Sequence, residues 1–301
     1  MEQQMERNRV REVGERIVEG IFFLSAFMGV ISALAIIVFV FYKGLHPFFG
    51  ENAYSFVDFI FGTTWAPGKN TYGIFQMIVA SVFATGGAII VGVPIGVLTA
   101  IFISQIAPKP LVKIIEPTVE LLAGIPSVLY GAFGLGVVVP VIQKISPRIY
   151  GQSMFAVIIV LTIMILPTIV TLSKSALDAV PASYKEASLG LGASKTETIF
   201  KAILPAAKSG ILSATVLGIG RAIGETMAVM LIAGNPESGM PGSIWDKVRL
   251  LTTNIAIEMG YASGRQQEML FATGVVLFSF IMLINFILIR MSKKLGGNVC
   301  K

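Results

Sequence analysis

Charge is scarce in this sequence: Asp, Glu, Lys and Arg make up 13% of 301 residues, while 54% are hydrophobic. A soluble domain carries roughly a quarter charged residues. Too few polar side chains are present to coat a globule of this size, so lipid must solvate much of the surface. There is one cysteine, Cys300, which excludes a disulfide within the chain. A single histidine, His46, with no cysteine partner argues against a transition-metal site. The sequence also has no Gly-x4-Gly-Lys-Ser/Thr run to cradle a nucleotide, so the chain itself is not expected to hydrolyse ATP. The net charge is +6, yet Lys and Arg are scattered among apolar runs without a basic stripe or interleaved aromatics, which excludes a nucleic-acid surface. No cofactor or metal is expected.

What the chain has instead is length in apolar runs. About 20 apolar residues cross the hydrocarbon of a bilayer as a helix, and six stretches qualify: residues 20–42, 74–106, 121–143, 151–173, 209–234 and 269–289. The first four carry no charge, and 74–106 exceeds a single crossing. The expected fold is therefore all-α and polytopic. A segment 1–19 precedes a six-helix domain over 20–290, and a tail follows over 291–301. Residues 1–19 mix Arg7, Arg9, Arg11 and Arg16 with five glutamates, unlike the short basic start of a secretory signal, so the first run is expected to remain as an anchor. Six crossings put both termini on one side. That side carries fifteen Lys and Arg against seven on the other, and the positive-inside rule makes it the cytoplasm. Residues 43–71 and 235–268 are then extracytoplasmic. They are rich in turn formers and carry Phe48, Phe49, Tyr54, Trp65, Tyr72 and Trp245 as expected interface aromatics.

The cytoplasmic connection over 174–208 is patterned more regularly than a plain loop. Pro181 suits the first turn of a short helix, which should run to about Leu191 and stop at Gly192, a residue suited to a left-handed cap. Ser194 followed by Glu197 reads as a capping box that opens a second helix, with Pro205 ending or kinking it. Such a hairpin is either a bare surface feature or a protrusion for a partner to grip.

The fifth run contains Arg221 and Glu225. Four apart, they should share a helical face. A central Arg costs about 2.5–3.5 kcal/mol even on insertion scales, so the pair is expected to face protein or a watery path. One reading is an ion pair that fixes packing, with Gly218, Gly220 and Gly224 admitting a neighbouring backbone. The other is a guanidinium fork for an oxyanion, with Glu225 holding Arg221 when the path is empty. Thr226 is included in the expected path. In the third run, Gly124, Pro126, Gly131, Gly134 and Gly136 would break a helix where a cavity or protein satisfies the freed backbone. Ser127 beside Pro126 is either a pore-lining hydroxyl or a buried serine at a packing kink. Gly86, Gly87, Gly92 and Gly96 read as helix-packing positions.

Three stretches carry a resemblance. Glu186, Ala187, Gly192, Leu204 and Pro205 match in register the EAA motif of ATP-binding-cassette importer permeases, with Ser188 in place of the third small residue and Ala202 where Ile is expected. The stretch from Gly218 through Arg221, Glu225, Thr226 and Val229 is similar to PstC-type permeases of phosphate importers. So are Leu122 to Gly131 and Ile163 to Val170, within a likeness from about Gly14 to Arg290. The resemblance implies a type I importer permease whose 174–208 segment is the coupling helix. It further implies a heterodimeric pore with a PstA-type companion, two copies of a cytoplasmic ATP-binding subunit, and an extracytoplasmic phosphate-binding protein. Rival readings are a permease for sulfate or molybdate, a passive anion channel, or a phosphate-sensing scaffold.

Overall fold

A computed structural model describes residues 2–50 and 52–296 of the chain; Cys300 lies outside the described residues. Nearly all of it is helical. In chain order the elements are α1 Glu2–Leu45, α2 Phe56–Phe61, the strands β1 Trp65–Ala66 and β2 Thr71–Tyr72, α3 Phe75–Ile101, α4 Lys109–Gly124, α5 Ser127–Phe133, α6 Val139–Ile145 and α7 Met154–Asp178. Then come α8 Ala182–Gly190, α9 Lys195–Thr198, α10 Leu204–Gly224, α11 Met227–Ile232, α12 Leu251–Glu258 and α13 Gly264–Gly296. Among the described residues, six helical stretches are long and apolar enough to cross a membrane: Gly14–Phe48, Phe75–Ile106, Ser127–Ile145, Met154–Asp178, Lys195–Gly224 and Gly264–Ile287. The third starts later than expected, because the chain breaks at Ile125 and Pro126 and the preceding turns form a separate helix, α4.

The central helix is α7, opened by Ser153, whose hydroxyl accepts the Ala156 N–H. Glycines let α3 lie against it: a Cβ on Gly87, Gly92 or Gly96 would meet Ile158, Ile165 or Ile169 at 2.7 Å. Glycines on α3 thus let the backbone approach the isoleucines of α7, and close packing replaces the hydrophobic drive that lipid cannot supply. Gly86, expected to pack likewise, has open space beside it. On the other flank of α7, Gly218 of α10 packs on Ile169 and Gly210 on Ala176. By contrast α1 lies along α13 only, through Phe39 against Phe271 and Phe41 against Phe278 with ring centroids 5.5 and 5.7 Å apart. Over residues 14–38 its apolar side chains are exposed, as a lipid-facing helix requires.

Three helices pass through a π-helical turn just ahead of a proline. Phe102–Ile106 precedes Pro108, Gly134–Val138 precedes Pro140, and Ile199–Ile203 precedes Pro205. Inside a helix proline offers no N–H and its ring crowds the carbonyl four residues back; a wider turn accommodates this at Pro140 and Pro205, whereas α3 ends at its π-helical turn, with Ala107 extended before Pro108. Pro205 therefore neither ends nor sharply breaks the helix, contrary to expectation, and α9, the turn and α10 run on as one rod.

The connections at one end of the bundle form a packed cap. Phe59, Trp65, Tyr72, Ile74 and Met77 pack with Leu251, Met269 and Leu270 in one apolar cluster. Trp65 and Tyr72, expected as interface aromatics, are thus core residues. At the centre Glu258 accepts hydrogen bonds from Trp65 Nε1 at 2.7 Å and Gln266 Nε2 at 2.9 Å, and pairs with Arg249 at 2.6 Å, both charges being buried. Burial pushes the Tyr72 phenol up from its ordinary pKa.

Candidate functional site

Two helix breaks lie side by side within the bundle. The first is at Ile125 and Pro126, both extended, between α4 and α5. The second is at Glu225, extended at φ −71° and ψ 130°, between α10 and α11. A Cβ on Gly131 would lie 2.7 Å from the Ala228 Cα, and one on Gly134 would lie 2.9 Å from Ile232. Those paired contacts make α5 and α11 parallel, with the start of α5 reaching about three residues beyond the start of α11. Backbone left free at such breaks is tolerated only where protein or a wet cavity satisfies it. Some of it is bridged here. The Tyr130 hydroxyl donates to the Leu122 carbonyl across the first break at 2.7 Å, and the Thr252 hydroxyl donates to the Glu225 carbonyl at 2.9 Å.

Arg221 sits one turn before the second break, half-buried. Its Nη1 donates to the Thr168 hydroxyl at 3.2 Å, and its charge lies within electrostatic reach of the Tyr130 hydroxyl. Arg has five N–H donors, and Thr168 takes one. The expected Arg221–Glu225 pair does not form. Because α10 ends at Gly224, four residues no longer equal one helical turn, and the two side chains leave in different directions. Glu225, 8% exposed, instead accepts the Ala228 N–H at 3.0 Å and caps the start of α11. Thr226 is the residue from which α11 starts, its hydroxyl donating to the Gly224 carbonyl at 3.3 Å. Ser127 opens α5, half-buried, and makes no side-chain hydrogen bond among the described residues. Gly124, Gly220 and Gly224 border open space, so of the three glycines expected to admit a neighbour only Gly218 does so within the chain.

The arrangement places a cation with N–H donors to spare near two helix breaks, a chemistry able to meet an oxyanion. Thr168 and Tyr130 were not singled out from sequence. Each lies inside a stretch that carries the family resemblance, but only packing brings them to Arg221.

At the opposite end α8 and α9 form the anticipated hairpin. Pro181 precedes α8 as its cap, one position earlier than expected, and Gly192 takes the left-handed φ of 86°. Ser194 and Glu197 make a reciprocal capping box. Glu186 and Ala187 are exposed, whereas Ser188 turns inward to Thr198, oxygen to oxygen at 3.0 Å. Leu204 and Pro205 seat the rod above Ile199 and Ile203, which are buried against Ile101 and Leu177.

Residues 92–296 match the family described as "Binding-protein-dependent transport system inner membrane component". The chain belongs to this family. As a member it is the inner-membrane permease subunit of an ABC importer, working with an ATPase and a substrate-binding protein. Among similar proteins, YqgH of Bacillus subtilis is 37% identical, covering 87% of each chain. The phosphate transport system permease protein PstC of Pasteurella multocida is 33% identical over 79% of this chain and 82% of its own. In fold, the permease resembles a chain of a bacterial alginate ABC transporter (TM-score 0.68, 16% identity, 92% of this chain and 94% of that one). It also resembles a chain of the MetNI methionine transporter (TM-score 0.55, 21% identity, 74% and 94%).

Proposed function

We propose that this permease forms one half of the translocation pore of an ATP-driven phosphate importer, with Arg221, Ser127 and Thr226 on the substrate path. The observation that carries the site is the Arg221 guanidinium one turn before a helix break, hydrogen-bonded to a neutral hydroxyl and making no ion pair among the described residues. An intramembrane Arg is costly, and such residues mark ion and substrate routes by default. Guanidinium donors match phosphate oxygens in pairs and stay charged at any working pH. Glu225 contributes indirectly, by fixing the start of α11 at the second break. Relatives named as phosphate permeases support phosphate over sulfate or molybdate as cargo.

A companion of the PstA type would supply the other half of the pore. Two copies of the ATP-hydrolysing subunit would receive Glu186, Ala187, Ser188 and Gly192 of the exposed hairpin, with Leu204 and Pro205 anchoring it. A phosphate-binding protein would deliver substrate to the cap. ATP hydrolysis belongs to the partner subunit, and both termini lie in the cytoplasm, as the surplus of Lys and Arg on that side requires.

Phosphate uptake in cells carrying Arg221→Gln tests the site, with membrane level and assembly with the ATPase subunit measured alongside. Uptake is expected to be lost with assembly intact. Uptake at the wild-type rate would make Arg221 a packing residue. Inhibition of wild-type uptake by sulfate at equal concentration would instead move the cargo to a broader oxyanion class.

A further inference from the structure

Away from the helix breaks, a polar cluster joins three helices where α7 turns into α8. Lys174 Nζ lies 2.9 Å from a Glu116 oxygen on α4 and 2.9 Å from Asp178, the last residue of α7. The other Asp178 oxygen accepts from Ser104 in the π-helical turn after α3, and Gln105 Nε2 donates to Ser104 at 2.8 Å. An ammonium has three donors and no acceptor, and here it spans two carboxylates on different helices.

What Lys174 fastens is unusual. No residue of α4 is buried, and the Glu116 contact is the ion pair that α4 makes among the described residues. Its far end is the first helix break, tied through the Leu122 carbonyl to Tyr130, whose hydroxyl lies within electrostatic reach of Arg221. The near end of the cluster is three residues from α8. On that side a crevice of about 310 Å³, lined by Ala176, Val180, Pro181, Tyr184, Ala207 and Gly210, separates α8 from α10. Three residues, Ala179 to Pro181, link Asp178 to α8, so the Lys174–Asp178 turn lies within reach of hairpin movement. Glu116 and Gly124 share α4 about 12 Å apart along its axis, at 1.5 Å per residue, with Pro117 as a bend point between them, so a displacement at Glu116 is carried along α4 towards the break.

We propose that Lys174 is a positioning residue for transport: bridging Asp178 and Glu116, it makes α4 follow α8, so hairpin movement reaches the break beside Arg221. The proposal rests on α8 being the coupling segment. Without the bridge, α8 would still answer the ATPase, but α4 and the break would no longer move with it.

The test compares wild type, Glu116→Gln and Lys174→Arg as the full transporter in proteoliposomes, with companion, ATPase subunits, binding protein and phosphate. The readout is phosphate imported per ATP hydrolysed. Glu116 is partly exposed, so losing its charge is a mild change for folding. For Glu116→Gln this ratio is expected to fall about five- to tenfold, at the low end of coupling between sites, while stimulated hydrolysis persists. Lys174→Arg, which keeps a forked cation, is expected to retain the ratio. An unchanged ratio for Glu116→Gln, a parallel loss of uptake and hydrolysis, or failure to assemble would each overturn the proposal and leave the cluster structural. Absence of phosphate uptake by wild type would instead sink the phosphate-importer reading.

Discussion

Glu258 takes on three donors at once, from Trp65, Gln266 and Arg249, in a site almost closed to solvent. A buried ion pair contributes little against an apolar replacement of both partners, but removing one partner strands the other charge. Glu258→Ala is therefore expected to cost about 3–5 kcal/mol by leaving Arg249 buried and unpaired. The check is thermal unfolding of the detergent-purified protein, against Arg249→Met with Glu258→Leu, which removes both charges and should recover much of the loss. At the same scale Arg221 stands in contrast: its partner is a neutral hydroxyl, and its spare donors are what a passing anion could use. The difference between the two arginines is the company each keeps.

At the scale of elements, the telling features are interruptions. The α5–α11 pair stays in contact because Gly131 presents no side chain to the Ala228 backbone. Gly131→Ala would place a methyl 2.7 Å from a backbone atom that cannot rotate away, and overpacking of this kind typically costs about 1–3 kcal/mol. Gly86→Ala faces open space and is expected to be tolerated. Melting temperature and uptake measured side by side for the two variants check this, and equal behaviour would mean the two half-helices are not locked together. Prolines that the sequence offers as stops are absorbed by π-helical turns, so the α9–α10 rod stays continuous from hairpin to Arg221.

Seen whole, the molecule is a bundle around α7 with a packed cap at one end and an exposed hairpin at the other. Among the described residues, α1 and α4 leave large apolar side chains such as Phe22, Leu34, Ile114 and Leu121 exposed, as expected of a subunit in lipid. The proposed orientation rests on charge: fifteen Lys and Arg are assigned to one side of the bundle and seven to the other. A phosphatase reporter inserted in the loop at residue 239 should be active outside the cytoplasm, and one fused after residue 290 should be inactive. The reverse pattern would invert the proposed topology and put the hairpin out of reach of an ATPase.

The amino-acid order by itself determined the all-helical class, the number of apolar spans, the capped hairpin and the presence of a costly Arg in the fifth span. These follow from local rules: run length against bilayer thickness, capping chemistry within one turn, and the price of a charge in lipid. Tertiary structure decided what those rules cannot reach. Whether Glu225 meets Arg221 depended on a helix ending at Gly224, since a span that looks continuous by composition can be broken once Thr252 and Ala228 offer partners to the exposed backbone and carboxylate. Trp65 and Glu258, 193 residues apart, could not be paired from spacing. Nor could Lys174 be matched to Glu116, because each lies on a helix with other neighbours in sequence. Long-range contacts are chosen by packing, and packing is a property of all the helices together.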